Sequence, residues 1–398
     1  MTTDLATFPP DATIVQFGTG RFLLAHVDAM VSDSLARGAS EARILVVQTS
    51  PREEGKHKAR ALARARRYPV RIRGRRDGEI VDREEIVDSV ADCAIAEEAW
   101  PAITRHVVEH ARIIVSNTAD SGYEIGADSS LNPLPTSYPG KLTQLLRARF
   151  DAGGEGLTIL PCELIDRNAD TLKSLVIEMT RRDATAAGGQ VPDDAICEAD
   201  SSGDTEAFVQ WLTSACVWAN TLVDRIVSAP LEPLGAIAEP YALWAIQREP
   251  GMAIPCEHPD VEVVDDLTPQ ALLKLHVLNL AHTFLVDQWR RAGEPGTFVR
   301  DAMENETLVV ALREVLASEA LPALATRLPI ATLETYRDVT LERFANPYLD
   351  HRLADIAQNH ATKLERRIKP VIEMAEAAGL PTPQLTQAMR DDASRATG

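Results

Sequence analysis

Ala12-Thr13-Ile14-Val15-Gln16-Phe17-Gly18-Thr19-Gly20-Arg21-Phe22-Leu23-Leu24-Ala25-His26-Val27-Asp28-Ala29-Met30 joins a short apolar run, two glycines and a stretch with the apolar spacing of a helix. Strand, glycine turn and helix is the opening of a βαβ unit, since a parallel strand needs a long crossover to reach its neighbour. A second apolar run, Ala42 to Gln48, follows after one helix length. Two more, Ala111 to Asn117 and Gly156 to Glu163, end in polar residues. The carboxyl ends of strands form the ligand crevice of an open parallel sheet, so Asn117 and Glu163 stand where chemistry is expected. Tyr68 to Gly74 and Gly78 to Asp82 alternate about a turn and read as an antiparallel addition.

Glycines in such a turn let backbone N–H groups approach a pyrophosphate. The spacing here is Gly18-x-Gly20 with Ala25 further on, so the third glycine of the usual fingerprint is missing. The same turn also serves in α/β domains that bind no dinucleotide. After the second strand comes Gln48-Thr49-Ser50-Pro51-Arg52 in place of the acid that holds an NAD ribose. Arg52 suits a 2′-phosphate, so NAD and NADP both stay open.

At 398 residues the chain exceeds a single core, and two domains are expected, 1–264 with the sheet and 265–398 mainly helical. Several prolines, Pro230, Pro233, Pro240, Pro250, Pro255 and Pro259, deny long helices to the bridge between them. Helical spacing then covers 271–291, 307–319, 332–344 and 350–378, with a frayed polar tail from Arg390. Arg181 to Thr205 reads as a surface excursion. A net charge of −18 argues against nucleic-acid or anionic-membrane partners. The basic stretch Lys56 to Arg76 reads as a solvated helix face or loop. Met1-Thr2-Thr3-Asp4 is no signal peptide and no apolar run reaches about 18 residues, so a cytoplasmic protein is expected. Five scattered cysteines suggest neither disulfides nor a metal site.

Ala271-Leu272-Leu273-Lys274-Leu275-His276-Val277-Leu278-Asn279-Leu280-Ala281-His282 sets polar residues in an apolar helix. On an α-helix Lys274, His282 and Asn279 fall at about 0°, 80° and 140°, one side of the cylinder. A lysine in apolar surroundings has a lowered pKa suited to proton transfer, and an amide donor stabilises a developing alkoxide. Hydride transfer between an alcohol and a nicotinamide needs both. The competing reading is a core helix whose polar residues are satisfied internally. Asp224 either accepts from substrate hydroxyls or pairs with Arg225.

Gln16-Phe17-Gly18-Thr19-Gly20-Arg21-Phe22-Leu23-Leu24-Ala25-His26, together with Lys274, Asn279 and His282 in this spacing, resembles the polyol-specific long-chain dehydrogenases, the mannitol dehydrogenase family. Val115-Ser116-Asn117-Thr118, Leu160 to Asn168, Thr221 to Val227, Arg343-Phe344-Ala345-Asn346-Pro347 and Asn359 to Lys363 are similar to its tagaturonate reductase branch. The similarity runs from residue 12 to about 371.

The resemblance implies a metal-independent, usually NAD-dependent reductase with a Rossmann-type N-terminal domain and an α-helical C-terminal one. Lys274 corresponds to the general acid/base, Asn279 to an oxyanion donor and His282 to a substrate contact. Asp224 and Lys363 are substrate-side candidates. Gly18, Gly20, Arg21, Phe22 and Asn117 are cofactor-side candidates. Leu164 stands where mannitol-oxidising relatives have asparagine, and Leu280 and His360-Ala361 depart from the branch. The similarity to the tagaturonate reductase branch implies a ketouronate such as tagaturonate, Leu164 disfavours a simple hexitol, and the departures leave room for a related sugar acid, with fructuronate or a polyol as alternatives. A dinucleotide-binding regulator without catalysis is the competing class. The substrate carboxylate calls for a cation, with Lys363 and Arg352 as candidates.

Overall fold

The computed structural model describes residues 7–118, 120–188 and 201–397. These form two compact units. The first comprises 1–70, 84–237 and 242–267, the second 71–83, 238–241 and 268–398.

The strands are β1 (Ile14–Phe17), β2 (Ile44–Gln48), the hairpin β3 (Tyr68–Arg76) and β4 (Glu79–Val87), β5 (Val90–Ile95), β6 (Ile113–Ser116), β7 (Thr158–Pro161), β8 (Val217–Trp218), β9 (Thr221–Asp224), β10 (Val227–Pro230), β11 (Ala236–Ala238), β12 (Leu243–Gln247) and β13 (Val261–Val264). In the first unit β5-β2-β1-β6-β7-β8 make a sheet whose neighbours are all parallel. Each residue of β1, β2, β6 and β7 is buried. Helices cover both faces of such a sheet, which is why these strands are apolar without alternation. Order reverses at β1, between β2 and β6, the crevice position of a doubly wound sheet. The Pro-rich stretch after Ile226 is not a plain linker: β12 pairs parallel with β13 and antiparallel with β9 in a small second sheet.

The reading of Arg21 to Met30 as one helix needs correction. Helix Arg21–Ala25 stops at His26, whose φ of −120° and ψ of −79° break the ladder, and Val27–Ala36 starts anew. His26 is fully buried and stacks on Phe22 with centroids 4.7 Å apart. The hairpin turn places Asp77 and Gly78 at φ 55° and 81°, the left-handed pair that matches strand twist. The basic stretch folds as helix Glu53–Ala65 and spends its charge on acids: Lys56 meets Glu97 at 2.7 Å and Arg66 meets Asp92 at 3.0 Å. Residues 181–188 continue helix Asn168–Gly188, so that part of the expected excursion is regular, while 189–200 lie outside the described residues.

The second unit is helical. Its core gathers Phe284, Leu285, Leu312, Leu316, Leu324, Phe344, Leu353 and Ile368. The expected helix 350–378 is three: Leu353–Ile356, His360–Arg367 and Lys369–Ala377. Asn359 at φ 52° and ψ 38° makes the first break, and Pro370, lacking an N–H, marks the second. The tail expected to fray belongs to helix Pro383–Thr397. Glu319 accepts from the N–H groups of Gln384 and Leu385, both at 2.9 Å, and Arg291 holds Asp391 at 2.7 Å. Those contacts hold the helix at Gln384, Leu385 and Asp391. No described helix is long and apolar enough to cross a membrane.

Candidate active site

Two places carry the candidate residues, one in each unit. In the first, Gly18 follows β1 with φ 124°, where a Cβ would stand 3.0 Å from the Asn117 carbonyl oxygen and 3.2 Å from Leu23 Cδ1. Glycine is required there by conformation and by contact. Gly20 has nothing within 4 Å of its would-be Cβ, so the backbone faces open space. Arg21 is exposed and Phe22 half-buried. Asn117 extends β6, and its Nδ2 donates to the Cys162 carbonyl at 2.6 Å. Gln48 accepts from Thr19 Oγ1 and donates to the Ser50 carbonyl at 3.1 Å, while Arg52 is exposed and makes no ion pair among the described residues.

Glu163, the acid after β7, is enclosed. It accepts from Ser116 Oγ at 3.1 Å, Thr118 N at 2.9 Å and Tyr123 OH at 3.0 Å. Burial raises its pKa, and the hydrogen bonds oppose the rise. Asp224 closes β9 opposite Leu243 and is 6% exposed. Leu164 is 76% exposed.

The second place is the helix from Thr268 to Arg291. Its middle is not α-helical: Lys274–Leu278 is a π-turn, and the Asn279 N–H reaches the carbonyls of both Leu275 and Lys274. A π-turn bonds residues five apart and absorbs one extra residue, so positions beyond it shift by one relative to an α-helix. Asn279 then relates to Lys274 as i+4 and His282 as i+7, about 40° and about −20° in azimuth. The spread expected from an α-helix, about 140°, shrinks to about 60°. By that geometry the extra residue of the π-turn narrows the three positions toward one stripe of the helix.

Their surroundings differ. Lys274 and Asn279 are half-buried, and the Asn279 side-chain amide takes no partner among the described residues. His282 is 6% exposed, stacked on Phe344 with centroids 4.0 Å apart and edge-on to His351 at 4.9 Å. Burial first, then His351, Arg343, Arg367 and Lys363, hold its pKa well below the usual histidine value, so the ring is neutral. Arg343 is neutralised by a buried bidentate pair with Glu239, at 3.0 and 2.8 Å, and lies 4.1 Å over the Tyr241 ring.

Helix His360–Arg367 docks against this stripe. His276 Nδ1 donates to the Arg367 carbonyl at 2.9 Å, and Arg367 Nη1 donates to the Asn279 carbonyl at 3.3 Å and Thr283 Oγ1 at 3.1 Å. Lys363 Nζ donates to the Ile356 carbonyl at 2.7 Å. Burial and then the charge of Arg367 lower the Lys363 pKa. Arg352, the other candidate cation, is exposed at the start of helix Leu353–Ile356. Arg367 was absent from the sequence reading. Its only signal there is its position four residues after Lys363 on a helix.

Two family models match the chain, described as the mannitol dehydrogenase Rossmann domain over residues 12–255 and the mannitol dehydrogenase C-terminal domain over 266–390. Altronate oxidoreductase of Klebsiella pneumoniae (strain 342) is 32% identical, covering 94% of this chain and 78% of that protein. Altronate oxidoreductase of Bacillus subtilis (strain 168) is 30% identical over 92% and 76%. Among solved structures, a substrate-free D-sorbitol dehydrogenase superposes with a TM-score of 0.79 at 21% identity, covering 96% of this chain and 80% of that one. Pseudomonas fluorescens mannitol 2-dehydrogenase, solved with NAD and D-mannitol, gives 0.69 at 19%, covering 97% and 79%. A doubly wound parallel sheet, a separate helical unit and both domain matches lead to one conclusion: the chain belongs to the mannitol dehydrogenase family and is an oxidoreductase.

Proposed function

We propose that the protein interconverts a ketouronate and an aldonate, D-tagaturonate with NADH to D-altronate with NAD. The observation that supports this reading is the π-turn Lys274–Leu278, which by helix geometry draws Lys274, Asn279 and His282 toward one stripe, with Arg367 bonded to the Asn279 carbonyl. The relatives named altronate oxidoreductase support the choice of substrate.

Lys274 is the general acid/base. It gives its proton to the ketone oxygen on reduction and takes the hydroxyl proton on oxidation. The free amide of Asn279 donates to the same oxygen as negative charge develops. His282, kept neutral, exchanges a hydrogen bond with a substrate hydroxyl without adding charge. Asp224 and Lys363 contact the substrate. Gly18, Gly20, Arg21, Phe22 and Asn117 hold the dinucleotide. Gly18 and Gly20 fit such a group, because one glycine is imposed by the Asn117 carbonyl and the other leaves its backbone bare. The nicotinamide cofactor supplies the hydride when bound. NAD is the cofactor of the mannitol 2-dehydrogenase complex that shares this fold. Gln48 and the exposed Arg52 in place of a ribose-binding acid make NADPH the necessary comparison.

The test follows NADH and NADPH oxidation with D-tagaturonate, D-fructuronate and D-fructose. The highest kcat/KM is expected for tagaturonate with NADH. A preference for fructuronate or fructose moves the enzyme to another substrate within the family. Cofactor binding with no turnover of any of the three sinks the enzymatic reading.

A further inference from the structure

Lys363 and Arg367 lie four residues apart on helix His360–Arg367, so their side chains share one face. Like charges in that relation oppose each other, and partial burial removes the water that would screen them. Such a pair is ordinarily neutralised by a carboxylate, and this chain has 59 acidic residues against 41 basic ones. Yet among the described residues neither Lys363 nor Arg367 forms an ion pair. Lys363 is held by a backbone carbonyl, Arg367 by a carbonyl and a hydroxyl. Arg343 shows the contrast: deeper still, it has a dedicated acid in Glu239. Burial alone lowers the Arg367 pKa, with no acid opposing it. Both of its bonds to protein acceptors run through Nη1, which leaves the other edge of the guanidinium fork for a planar anion. The fork is fastened to the residue whose amide is itself unengaged, Asn279.

We propose that Arg367, seconded by Lys363, is the counter-ion of the substrate carboxylate and sets the preference for sugar acids over neutral sugars. The inference rests on the ketouronate reading and deepens it. The bidentate geometry assigns the carboxylate to Arg367, and Lys363 adds a point charge from one helical turn away. Asn279 thereby receives the ketone end of a substrate whose acid end is anchored beside it.

The experiment compares kcat/KM for D-tagaturonate and a neutral ketohexose, D-tagatose, in the full-length enzyme with NADH. Arg367→Met should lower the acid-to-neutral ratio roughly 30- to 100-fold, the loss expected for one charge-assisted hydrogen-bonded contact. Using the ratio removes any general damage from the lost bonds to Asn279 and Thr283, which weakens both substrates. Arg367→Lys should recover part of the ratio, and Lys363→Met should lower it less than Arg367→Met. A ratio unchanged in Arg367→Met, with both substrates affected alike, overturns the assignment and leaves the ketouronate reading standing. A wild-type enzyme that reduces the ketohexose but not the ketouronate overturns the reading itself. Arg367 is then judged by binding alone, D-altronate against D-altritol with NAD present. Tighter binding of the acid by wild type, lost in Arg367→Met, upholds the anion site; equal binding of the two overturns it.

Discussion

Asp28 in the sheet unit and His282 in the helical unit are both enclosed groups that burial drives toward neutrality, but their surroundings treat them differently. Asp28 is fully buried, accepts from Tyr68 OH at 2.7 Å, and is pushed up to about 7 by desolvation. Glu163 in the same unit has its oxygens engaged by Ser116, Thr118 and Tyr123. These acids meet donors built into the fold. His282 instead has ring contacts and no hydrogen bond to its nitrogens among the described residues. Around it the cations Lys363 and Arg367 form no ion pair among the described residues. Buried polar groups are normally satisfied, so donors converging on both oxygens of Glu163 mark a carboxylate that holds structure. Around His282, Lys363 and Arg367 form no ion pair and the Asn279 amide has no partner among the described residues, which is the pattern expected where a ligand completes the set.

Lys274→Ala tests the helical unit most severely. Loss of a general acid/base should cost about 10²- to 10⁴-fold in turnover, with NADH binding retained in a fluorescence titration. Turnover close to wild type would return Lys274 to a helix-packing role. Next in size is Glu239→Gln, which leaves Arg343 buried without its anion. Urea unfolding should show a loss of about 3–5 kcal/mol. A neutral result would mean that Arg343, like Arg367, tolerates the absence of an acid, and the distinction between them would collapse.

Gly18→Ala probes the sheet unit. The side chain must adopt φ near 124° and press on the Asn117 carbonyl, at a cost of about 1–3 kcal/mol in stability or cofactor affinity. Thermal midpoints with and without NADH separate the two, and no change in either would remove the turn from the cofactor argument.

The smallest effect is in pH dependence, where acids and bases act in opposite senses. His106, His258, His276, His282 and His351 all have lowered pKa values, with burial the first cause. Their stabilisation is present above the unfolded histidine value of 6.5 and is lost as pH falls below it, because the unfolded chain then binds protons that the native chain refuses. Asp28, raised from 3.8 to about 7, works the other way: its contribution is full below 3.8 and is lost as pH rises through 7. Acidification from about pH 8 to about pH 5.5 should therefore lower the urea midpoint, and should lower it more steeply in Asp28→Asn. An equal slope in the two proteins would show that Asp28 titrates as an ordinary carboxylate.

Most of the sheet unit was legible from residues 12 to 163. Short apolar runs ending in Gly18, Gln48, Asn117 and Glu163 follow from a local rule, that a strand buried on both faces carries no polar alternation. The break at His26 was not legible, since the apolar spacing of Arg21 to Met30 continues through it. In the helical unit the composition announced helices but not their joints. Asn359 in the left-handed region and the anchoring of the last helix by Glu319 and Arg291 both depend on partners far away in sequence.

From the sequence alone came the family, the parallel sheet, the helical partner unit and the names Lys274, Asn279 and His282. Each rests on residue type and short spacing, which a chain carries before it folds. The π-turn at Lys274–Leu278, and the bond of Arg367 to the Asn279 carbonyl, emerged only with folding. The Lys274–Leu278 segment has ordinary helical spacing, and Arg367 lies 88 residues beyond Asn279, so neither carries a local mark. Helix register and the partner an arginine finds are decided by what packs alongside, and packing is a property of the assembled chain.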